Sequence, residues 1–332
     1  MNAPDLTSSR LPTAADVADA ARMLSGVAVR TPLLSNETLD RKTGARVFLK
    51  PEVLQRTGSF KFRGAYNRIA RIPVDRQKGG VVAFSSGNHA QGVGAAAKLR
   101  GLPAVIVMPR DAPAAKIERT KSHGAEVILY DREREDREEI GRRIAVERGA
   151  VLVPPFDDPY VIAGQGTVGR EICEDLATQN LAPDIVMMPA SGGGLAAGIA
   201  LAVKEKHPAA RILTVEPAGF DEHAHSFKSG KRERNARATG SICDALLAPA
   251  PGEITFEINR RLIGEGLAAT DDEVRDAMRF AFNELKLVVE PGGAVALAAL
   301  LAGAIDARGK TVAIVLSGGN VDAKLFAEII RG

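Results

Sequence analysis

Short runs of apolar and β-branched residues recur along this chain, and stretches of helical length separate most of them. Such alternation predicts βαβ units, which assemble into mostly parallel sheets with helices on both faces. We therefore expect an α/β fold with open, twisted sheets. The runs predicted to be strands cover residues 46–50, 80–84, 104–108, 126–130, 184–188, 211–216 and 311–316.

The alternation of strand and helix is tightest between residues 81 and 150, where three units follow one another with short loops. A chain of 332 residues, of which 45% are hydrophobic, is long enough to form two cores. We predict a small domain, residues 59–151, that is inserted into a large domain made of residues 1–58 and 152–332.

The charge balance argues against a nucleic-acid partner. Lys and Arg number 44 against 41 Asp and Glu, and aromatic residues make up 4% with no Trp, so the chain predicts neither a phosphate-binding patch nor a stacking platform. One basic run, residues 228–237, falls in a stretch predicted to be rich in loops, residues 220–251. We interpret that run as an exposed loop rather than a binding site.

The apolar segments of the chain predict no membrane partner and a cytoplasmic protein. The longest of them, residues 294–301, is much shorter than the ~20 residues that a bilayer span needs. Residues 1–13 are polar and lack the apolar core of a signal peptide. Cys173 and Cys243 are too few and too far apart for a disulfide framework or a cysteine zinc site, so we expect two buried thiols.

A glycine-rich loop, Ser-Gly-Gly-Gly at residues 191–194, follows one predicted strand and opens a predicted helix, residues 195–206. Consecutive glycines let neighbouring N–H groups point into one concavity, and the helix N-terminus adds its positive dipole end. The loop therefore predicts a phosphate site. A tight strand-to-helix turn is the alternative.

The same loop also matches a dinucleotide fingerprint. Gly192, Gly194 and Ala197 have the Gly-x-Gly-x-x-Ala spacing, and Glu216 ends the next predicted strand, where an acid that binds ribose belongs. A nicotinamide-linked oxidoreductase is therefore an alternative function.

Two further loops follow predicted strands, at the sheet edge where ligands collect in open α/β folds. Residues 85–89, Ser-Ser-Gly-Asn-His, can bind a carboxylate through backbone N–H groups, with the Asn88 amide as a further donor. An N-cap with a turn is the alternative, and His89 is interpreted as a packed helix histidine. After the last strand, the Ser317 hydroxyl can meet a ring nitrogen, although a simple turn accounts for it equally well.

Lys61 lies where a cation is unfavourable. Ser59 is predicted to cap a helix, which places Lys61 in the first turn, at the positive end of the helix dipole. The dipole and the apolar neighbours Phe60 and Phe62 both favour a neutral, nucleophilic amine. An ordinary surface lysine is the alternative.

Together, five blocks in this order resemble the fold type II pyridoxal-phosphate enzymes, specifically the threonine/serine dehydratase and serine racemase family. The likeness covers about residues 15–330 and implies a fold similar to the tryptophan synthase β subunit, with the active site in the cleft between two domains. The blocks are residues 59–65 (Ser-Phe-Lys-Phe-Arg-Gly-Ala), 86–91 (Ser-Gly-Asn-His-Ala-Gln), 162–167 (Ile-Ala-Gly-Gln-Gly-Thr), 290–291 (Glu-Pro) and 317–320 (Ser-Gly-Gly-Asn).

The resemblance implies a role for each matching residue. Lys61 forms the Schiff base with pyridoxal 5'-phosphate and then acts as acid and base at Cα, Asn88 binds the phenolic oxygen, and Ser317 binds the pyridine nitrogen. Ser191 departs from the glycine that many members carry there. The implied phosphate ligands are Gly192, Gly193 and Gly194; further cofactor contacts are Phe60, Ser191, Leu195 and Glu290; the substrate carboxylate is held by Ser85, Ser86, Gly87, Asn88 and His89.

The implied reaction is the elimination of water from a small L-hydroxy amino acid, threonine or serine, which yields a 2-oxo acid and ammonia. Ser86 keeps two alternatives open. Racemases and hydroxyaspartate dehydratases of the family carry serine here, on the cofactor face opposite the lysine, whereas many threonine dehydratases carry alanine. Lys61 and Ser86 together therefore also fit a serine racemase or a 3-hydroxyaspartate dehydratase.

The resemblance further implies a divalent cation and a homodimer or homotetramer. Glu216, Glu222 and the carbonyl of Phe220 have matching spacing, and oxygen ligands suit Mg²⁺ or Ca²⁺. The alternative is that Glu216 simply ends a strand and both carboxylates face solvent. His223 and His225 are interpreted as surface residues rather than ligands.

Overall fold

Two separate sheets organise the chain in a computed structural model that describes residues 10–112, 114–131 and 133–332. The polar N-terminal stretch lies outside these residues up to Ser9. The described strands are β1 Leu34–Ser35, β2 Arg46–Pro51, β3 Val81–Phe84, β4 Ala104–Pro109, β5 Glu126–Tyr130, β6 Val151–Leu152, β7 Ile185–Pro189, β8 Arg211–Pro217, β9 Gly266–Ala269 and β10 Thr311–Leu316. The described helices are α1 Ala14–Leu24, α2 Glu37–Thr43, α3 Lys61–Ile69, α4 Asn88–Leu99, α5 Ala114–Ser122, α6 Arg137–Arg148, α7 Pro159–Ala177, α8 Gly194–Lys206, α9 Glu222–Ser229, α10 Glu253–Leu262, α11 Asp271–Phe280, α12 Pro291–Leu301 and α13 Ala323–Arg331.

The larger sheet has the strand order β1-β2-β10-β7-β8-β9, and the smaller sheet has the order β5-β4-β3-β6. Every pairing is parallel except that of β1 with β2. The α/β prediction with two mostly parallel sheets is confirmed. All seven predicted strands form, and the short strands β1, β6 and β9 were missed because two to four residues carry too little periodic signal.

The four strands of the smaller sheet all come from residues 81–152, and the strands of the larger sheet come from residues 34–51 and 185–316. This separation supports an inserted small domain, although β6 extends one residue past the predicted end at 151. The domain boundaries themselves stay a prediction.

Helix α7 is the element that packs both the lysine segment and the glycine-rich loop into place. Its glycines remove side chains at the crossings, because a Cβ on Gly166 would lie 2.6 Å from the carbonyl oxygen of Gly198 in α8. On the neighbouring face, a Cβ on Gly164 would lie 2.6 Å from the carbonyl oxygen of Arg63 in α3. The Ala-Gly-Gln-Gly segment of α7 therefore permits backbone contact with two helices that begin at the cleft.

The apolar segment at residues 294–301 forms most of α12, whose buried residues run from Pro291 to Leu300. A helix that is apolar on all sides is a core helix, and α12 packs in the same hydrophobic cluster as β10 and β7. None of the described helices is long and apolar enough to cross a membrane. Cys173 and Cys243 are buried free thiols, as predicted.

The loop-rich prediction for residues 220–251 was partly wrong, because α9 forms at its start. The helix signal was weak, since α9 has only 8 residues and short helices depend on tertiary packing. The basic run at residues 228–237 is mostly exposed, as predicted.

Candidate active site

One cleft brings the predicted cofactor and substrate residues together at the carboxyl ends of strands from both sheets. These residues come from loops that follow β2, β3, β7 and β10, together with the start of α12. Their roles are not fixed by position alone, but their convergence from five parts of the chain defines the site. The cleft is lined by Phe60, Lys61, Ser85, Ser86, Gly87, Asn88, His89, Ser191, Gly192, Gly193, Gly194, Leu195, Glu290 and Ser317.

Lys61 is the first residue of α3, and its Nζ donates a hydrogen bond of 2.7 Å to the carbonyl oxygen of Pro155. The ammonium nitrogen lies 5.0 Å from the centre of the Phe60 ring. Burial lowers the pKa of this amine to about 8. The neutral form is therefore accessible near neutral pH, as a nucleophile or base requires.

The prediction that Ser59 caps α3 was wrong. The N-cap residue is Phe60, which donates its backbone N–H to the carbonyl oxygen of Ser317 at 3.1 Å. Ser59 instead pairs with Gly318 in an isolated β-bridge. These pairings join the lysine segment to the loop after β10, so Lys61 and Ser317 are held in one unit.

The glycine-rich loop presents its backbone amides to the cleft because its carbonyls are held on the other side. The Thr255 hydroxyl donates to the carbonyl oxygen of Gly192 at 2.6 Å, and the Asn259 amide donates to that of Gly193 at 3.3 Å. In a trans peptide the following N–H points the opposite way. The N–H groups of Gly193 and Gly194 therefore point away from α10, as an anion site at a helix N-terminus needs.

A side chain is disfavoured at each glycine of this loop. A Cβ on Gly192 would lie 2.2 Å from the Phe156 ring, and one on Gly194 would lie 3.0 Å from the carbonyl oxygen of Phe156. Gly193 has a φ of 92°, which side chains rarely adopt. The Ser191 side chain binds a neighbouring segment instead, because its Oγ accepts the backbone N–H of Ala248 at 2.9 Å.

A polar network connects the loops after β3 and β10. Asn88 donates to Oε1 of Glu290 at 2.6 Å and accepts from the Asn320 amide at 2.7 Å. Asn320 also donates to the carbonyl oxygen of Thr57 at 2.7 Å. Burial raises the pKa of Glu290 to about 7. Asn320 had no predicted role, and only its place in the Ser-Gly-Gly-Asn block pointed to it.

The loop at residues 85–89 holds a local turn and a buried histidine. The Ser85 hydroxyl accepts the backbone N–H of Gly87 at 3.2 Å. His89 is buried, as predicted for a packed histidine, and its Nε2 lies 2.8 Å from the carbonyl oxygen of Val153. Burial, together with Lys61, lowers the pKa of His89 to about 3, so the ring is neutral. Ser86 is half-buried and lines the cleft.

Two cations that had no sequence signal also line the cleft. Lys116 in α5 pairs with Asp244 at 2.7 Å, and the Arg137 guanidinium at the start of α6 lies 5.7 Å from the centre of the Phe84 ring. Both helices look like ordinary charged surface helices in the sequence. Only the placement of the smaller sheet turns these residues toward the cleft.

A second constellation lies behind the glycine-rich loop, and we refer to Glu216, Glu222 and His223 as the acid cluster. Their ligand atoms lie within 4.8 Å of one another, and all three residues are buried. Glu216 accepts the backbone N–H groups of His223 and Ala224 and lies 2.9 Å from Nδ1 of His223. The alternative that both carboxylates face solvent is therefore excluded, and the prediction that His223 is a surface residue was wrong. His225 is exposed, as predicted.

Charge in the acid cluster is not balanced by the protein. Burial raises the pKa of Glu222 to about 8, raises that of Glu216 well above its usual range, and lowers that of His223 to about 4. Oε2 of Glu222 accepts from Asn235 at 2.7 Å, whereas Oε1 is buried without a partner. A buried, unpartnered carboxylate oxygen beside a second carboxylate fits a hard divalent cation. Phe220 lies on the turn between these acids, with its side chain buried.

The placement of Glu216 also bears on the nicotinamide alternative. Its carboxylate accepts the backbone N–H groups of His223 and Ala224 and does not line the cleft. The acid that would bind a ribose is therefore absent from the cleft beside the glycine-rich loop, within the described residues.

Comparisons with known proteins agree with this geometry. The family model described as "Pyridoxal-phosphate dependent enzyme" matches residues 24–318. The L-threo-3-hydroxyaspartate ammonia-lyase of Pseudomonas sp is 44% identical over 96% of this chain and 98% of that protein, and the L-threonine ammonia-lyase of Thermotoga maritima is 43% identical over 96% of this chain and 78% of that protein. The structure of maize serine racemase superposes with a TM-score of 0.90 at 38% identity, covering 97% of this chain and 98% of that one.

Proposed function

This chain belongs to the pyridoxal-phosphate dependent enzymes, and from that premise we propose that it converts a small L-hydroxy amino acid, threonine or serine, into a 2-oxo acid and ammonia. It is a lyase with pyridoxal 5'-phosphate as its cofactor, in a family that includes ammonia-lyases and racemases. One observation carries the proposal. Lys61, the amides of the glycine-rich loop, Asn88 and Ser317 line a single cleft.

The cleft offers a partner for each polar group of the cofactor. The N–H groups of Gly193 and Gly194 would hold the phosphate, the Asn88 amide the phenolic oxygen, and the Ser317 hydroxyl the pyridine nitrogen. When bound, the cofactor supplies an electron sink for the α-carbon of the substrate. A hydroxyl is a neutral partner, so Ser317 would not keep the ring nitrogen protonated, which favours prompt elimination over a long-lived carbanion.

Lys61 and the loop at residues 85–89 would act on the substrate itself. The loop would hold the α-carboxylate through backbone N–H groups at the start of α4. The Lys61 amine, with its pKa lowered to about 8 by burial, would remove the α-proton as a general base. The β-hydroxyl then takes up a proton and leaves as water, and hydrolysis of the released enamine by a second water gives the 2-oxo acid and ammonia.

The replacement Lys61→Ala tests the proposal directly. We expect release of ammonia and 2-oxo acid from threonine or serine to fall by at least about 10³-fold, the upper part of the range for a positioned acid–base group. Borohydride treatment of the wild type should fix the cofactor on Lys61. Lys98→Ala is the matched control, because Lys98 is an exposed lysine near the end of α4. Equal activity in the Lys61 and Lys98 variants would contradict the proposal.

A second candidate activity is racemisation, favoured by the presence of Ser86 in the same cleft as Lys61. Two bases on opposite faces of a substrate are what proton removal and return with inversion need. We expect Ser86→Ala to abolish racemisation and reaction with D-serine while L-threonine deamination is largely retained. Unchanged racemisation in this variant would exclude the two-base mechanism.

The substrate 3-hydroxyaspartate is favoured by a separate observation, the two cations Lys116 and Arg137 at the cleft. An Arg guanidinium binds a carboxylate with two parallel hydrogen bonds, so Arg137 suits a second substrate carboxylate. We expect Arg137→Gln to raise KM for 3-hydroxyaspartate by roughly tenfold or more, since a charge-assisted bond contributes about 1.5–3 kcal/mol, and to leave KM for serine almost unchanged. Arg142→Gln, on an exposed part of α6, is the control. An equal rise in KM for 3-hydroxyaspartate and for serine would show that Arg137 does not bind a second substrate carboxylate.

The acid cluster is the proposed site for Mg²⁺ or Ca²⁺, with Glu216, Glu222 and the carbonyl of Phe220 as ligands. The unpartnered Oε1 of Glu222 supports this assignment. If exhaustive chelation leaves both the thermal midpoint and the activity unchanged, the assignment fails. The homodimer or homotetramer and the cytoplasmic location stay predictions.

A further inference from the structure

His223 lies between the acid cluster and the glycine-rich loop. Its imidazole is fully buried, with Nδ1 2.9 Å from Oε1 of Glu216 and Nε2 3.5 Å from Nδ2 of Asn259. The amide nitrogen of Asn259 only donates, so Nε2 of the neutral imidazole accepts from it and Nδ1 carries the proton toward Glu216. His223 therefore bonds the acid cluster on one side and α10 on the other.

Asn259 also contacts the glycine-rich loop. The same Nδ2 of Asn259 donates to the carbonyl oxygen of Gly193 at 3.3 Å. A Cβ on Gly193 would lie 2.7 Å from Nε2 of His223, so the loop backbone packs directly against the imidazole. The peptide that carries this carbonyl also carries the N–H of Gly194, which points the opposite way. The orientation of that N–H thus depends on Asn259 and, through it, on His223.

We propose that His223 is a positioning residue that couples the acid cluster to the cofactor phosphate, so that a divalent cation in the cluster tightens binding of pyridoxal phosphate by the loop. This proposal rests on the proposed function of the glycine-rich loop and extends it. Without a cation, Oε1 of Glu222 has no hydrogen-bond partner, so Glu222 does not help to fix the position of Glu216 beside the imidazole. With a cation between them, Glu216 stays in place and holds His223, Asn259 and the Gly193 carbonyl in order.

The coupling is reciprocal by thermodynamic necessity, since each ligand must change the affinity for the other by the same factor. We expect Mg²⁺ to lower the dissociation constant of pyridoxal phosphate about tenfold, within the roughly 5- to 150-fold range that is typical of coupled sites. The cofactor should raise the affinity for the cation equally. The ³¹P NMR shift of the bound phosphate should also differ between protein with Mg²⁺ and protein with chelator.

The test measures the dissociation constant of pyridoxal phosphate by absorbance titration of the full-length apoenzyme, with Mg²⁺ and with EDTA. In His223→Leu, which keeps bulk and removes both hydrogen bonds, the two constants should become equal. If this variant does not fold, His223→Gln replaces it, because one amide cannot make both bonds and the Mg²⁺ effect should fall to within twofold.

Two controls separate coupling from general damage to the loop. Thr255→Val removes the hydrogen bond to the Gly192 carbonyl and leaves the contacts of Asn259 with His223 and Gly193 in place, so it should weaken cofactor binding and keep the tenfold Mg²⁺ effect. His225→Gln, on the exposed side of α9, should change neither quantity. A residue with a merely structural role would weaken binding equally with and without Mg²⁺.

Three results decide the matter. A Mg²⁺ effect that persists at full size in the His223 variants overturns the proposal, and so does a wild type whose two constants are equal. A wild type that binds no pyridoxal phosphate under either condition instead defeats the proposed function. The first two outcomes leave the lyase proposal intact, so the two failures can be distinguished.

Discussion

Two clusters of charged side chains in the interior differ in whether each charge has a partner within the protein. The first, which we call the balanced cluster, consists of Lys50, Glu52, Arg63 and Glu171. Arg63 forms ion pairs with Glu52 at 2.8 Å and with Glu171 at 2.6 Å, and Lys50 pairs with Glu171 at 2.7 Å. The second is the acid cluster, which contains two carboxylates and a neutral imidazole.

The contrast between the two clusters shows in the pKa directions. Burial alone would lower the pKa of Arg63, but Glu52 and Glu171 outweigh it and the pKa is raised. In the acid cluster burial prevails, and the pKa values of Glu216 and Glu222 rise. Buried ions persist when partners compensate them and otherwise neutralise or recruit a counter-ion. The balanced cluster is therefore complete within the protein, whereas the acid cluster has room for a cation from outside.

The largest effect should follow from breaking the balanced cluster. Arg63→Met keeps the aliphatic stem but leaves Glu52 and Glu171 without their shared partner, so the free energy of unfolding should fall by about 3–5 kcal/mol. Urea unfolding of the apoenzyme measures it. Arg22→Met is the control, because the exposed pair of Arg22 with Asp19 should contribute no more than about 0.5 kcal/mol. A loss below about 1 kcal/mol in Arg63→Met would show that the cluster is not balanced by Arg63.

Replacement of glutamate by glutamine should change the free energy of unfolding in opposite directions in the two clusters. Glu171→Gln removes the charge that pairs Lys50 and Arg63 and should cost about 2–3 kcal/mol, as for a lost charged hydrogen bond. Glu222→Gln, measured with EDTA at pH 8, removes a carboxyl group whose ionised form is disfavoured by burial, so it should be neutral or stabilising by up to about 1 kcal/mol. Chemical unfolding of both variants checks the pair. If both variants are destabilised by similar amounts, the two clusters do not differ in how their charges are compensated.

The two clusters should also make stability depend on pH in opposite ways. Paired cations hold the pKa of Glu171 below its usual range despite burial, so its contribution is present above the ordinary pKa and is lost as pH falls. Burial raises the pKa of Glu222 to about 8, so the folded state retains that proton and stability falls as pH rises toward 8.

Thermal unfolding midpoints measured with EDTA test the predicted loss of stability as pH rises toward 8. Between pH 6 and pH 8.5 the wild type should lose about 5 °C relative to Glu222→Gln. Mg²⁺ should reduce that loss, because the cation binds the ionised carboxylates. Parallel curves for the wild type and the variant would show that Glu222 does not titrate in this range.

The smallest effect is expected at the edge of the balanced cluster. Arg30 is exposed and pairs with Glu174 at 2.8 Å and with Asp175. Arg30→Gln should reduce the free energy of unfolding by about 0.5 kcal/mol or less, and 0.5 M salt should remove most of that difference. A larger loss of unfolding free energy that persists in 0.5 M salt would show that Arg30 belongs to the balanced cluster.

Much of the fold and of the cleft was predictable from local sequence. Seven strands and the helix after the glycine-rich loop follow from periodicity and from glycine signals within a few residues. Lys61 lies in the first turn of α3 as predicted, although Phe60 and not Ser59 is the N-cap residue. The parallel order of the strands then places their following loops at one edge. Three of the five family blocks, residues 59–65, 86–91 and 317–320, reach the cleft for that reason, and Glu290 joins them from the start of α12. The block at residues 162–167 lies within α7 and does not line the cleft.

Other parts of the site depended on pairs that are distant in sequence. Arg63 and Glu171 are 108 residues apart, and His223 reaches Glu216 only because α9 folds back on the end of β8. Lys116 and Arg137 look like surface charges until the smaller sheet turns them toward the cleft. Neither periodicity nor motif spacing reports such contacts.

The sequence by itself therefore determined the α/β architecture and the positions of the proposed phosphate-binding loop and the proposed reactive lysine, because each is encoded by neighbouring residues. Only the tertiary structure decided which buried charges have partners. Whether a carboxylate is compensated depends on burial and on the groups around it in space, and these are properties of packing. The burial of Glu222 and the place of His223 beneath Gly193 were accordingly invisible until the chain was folded.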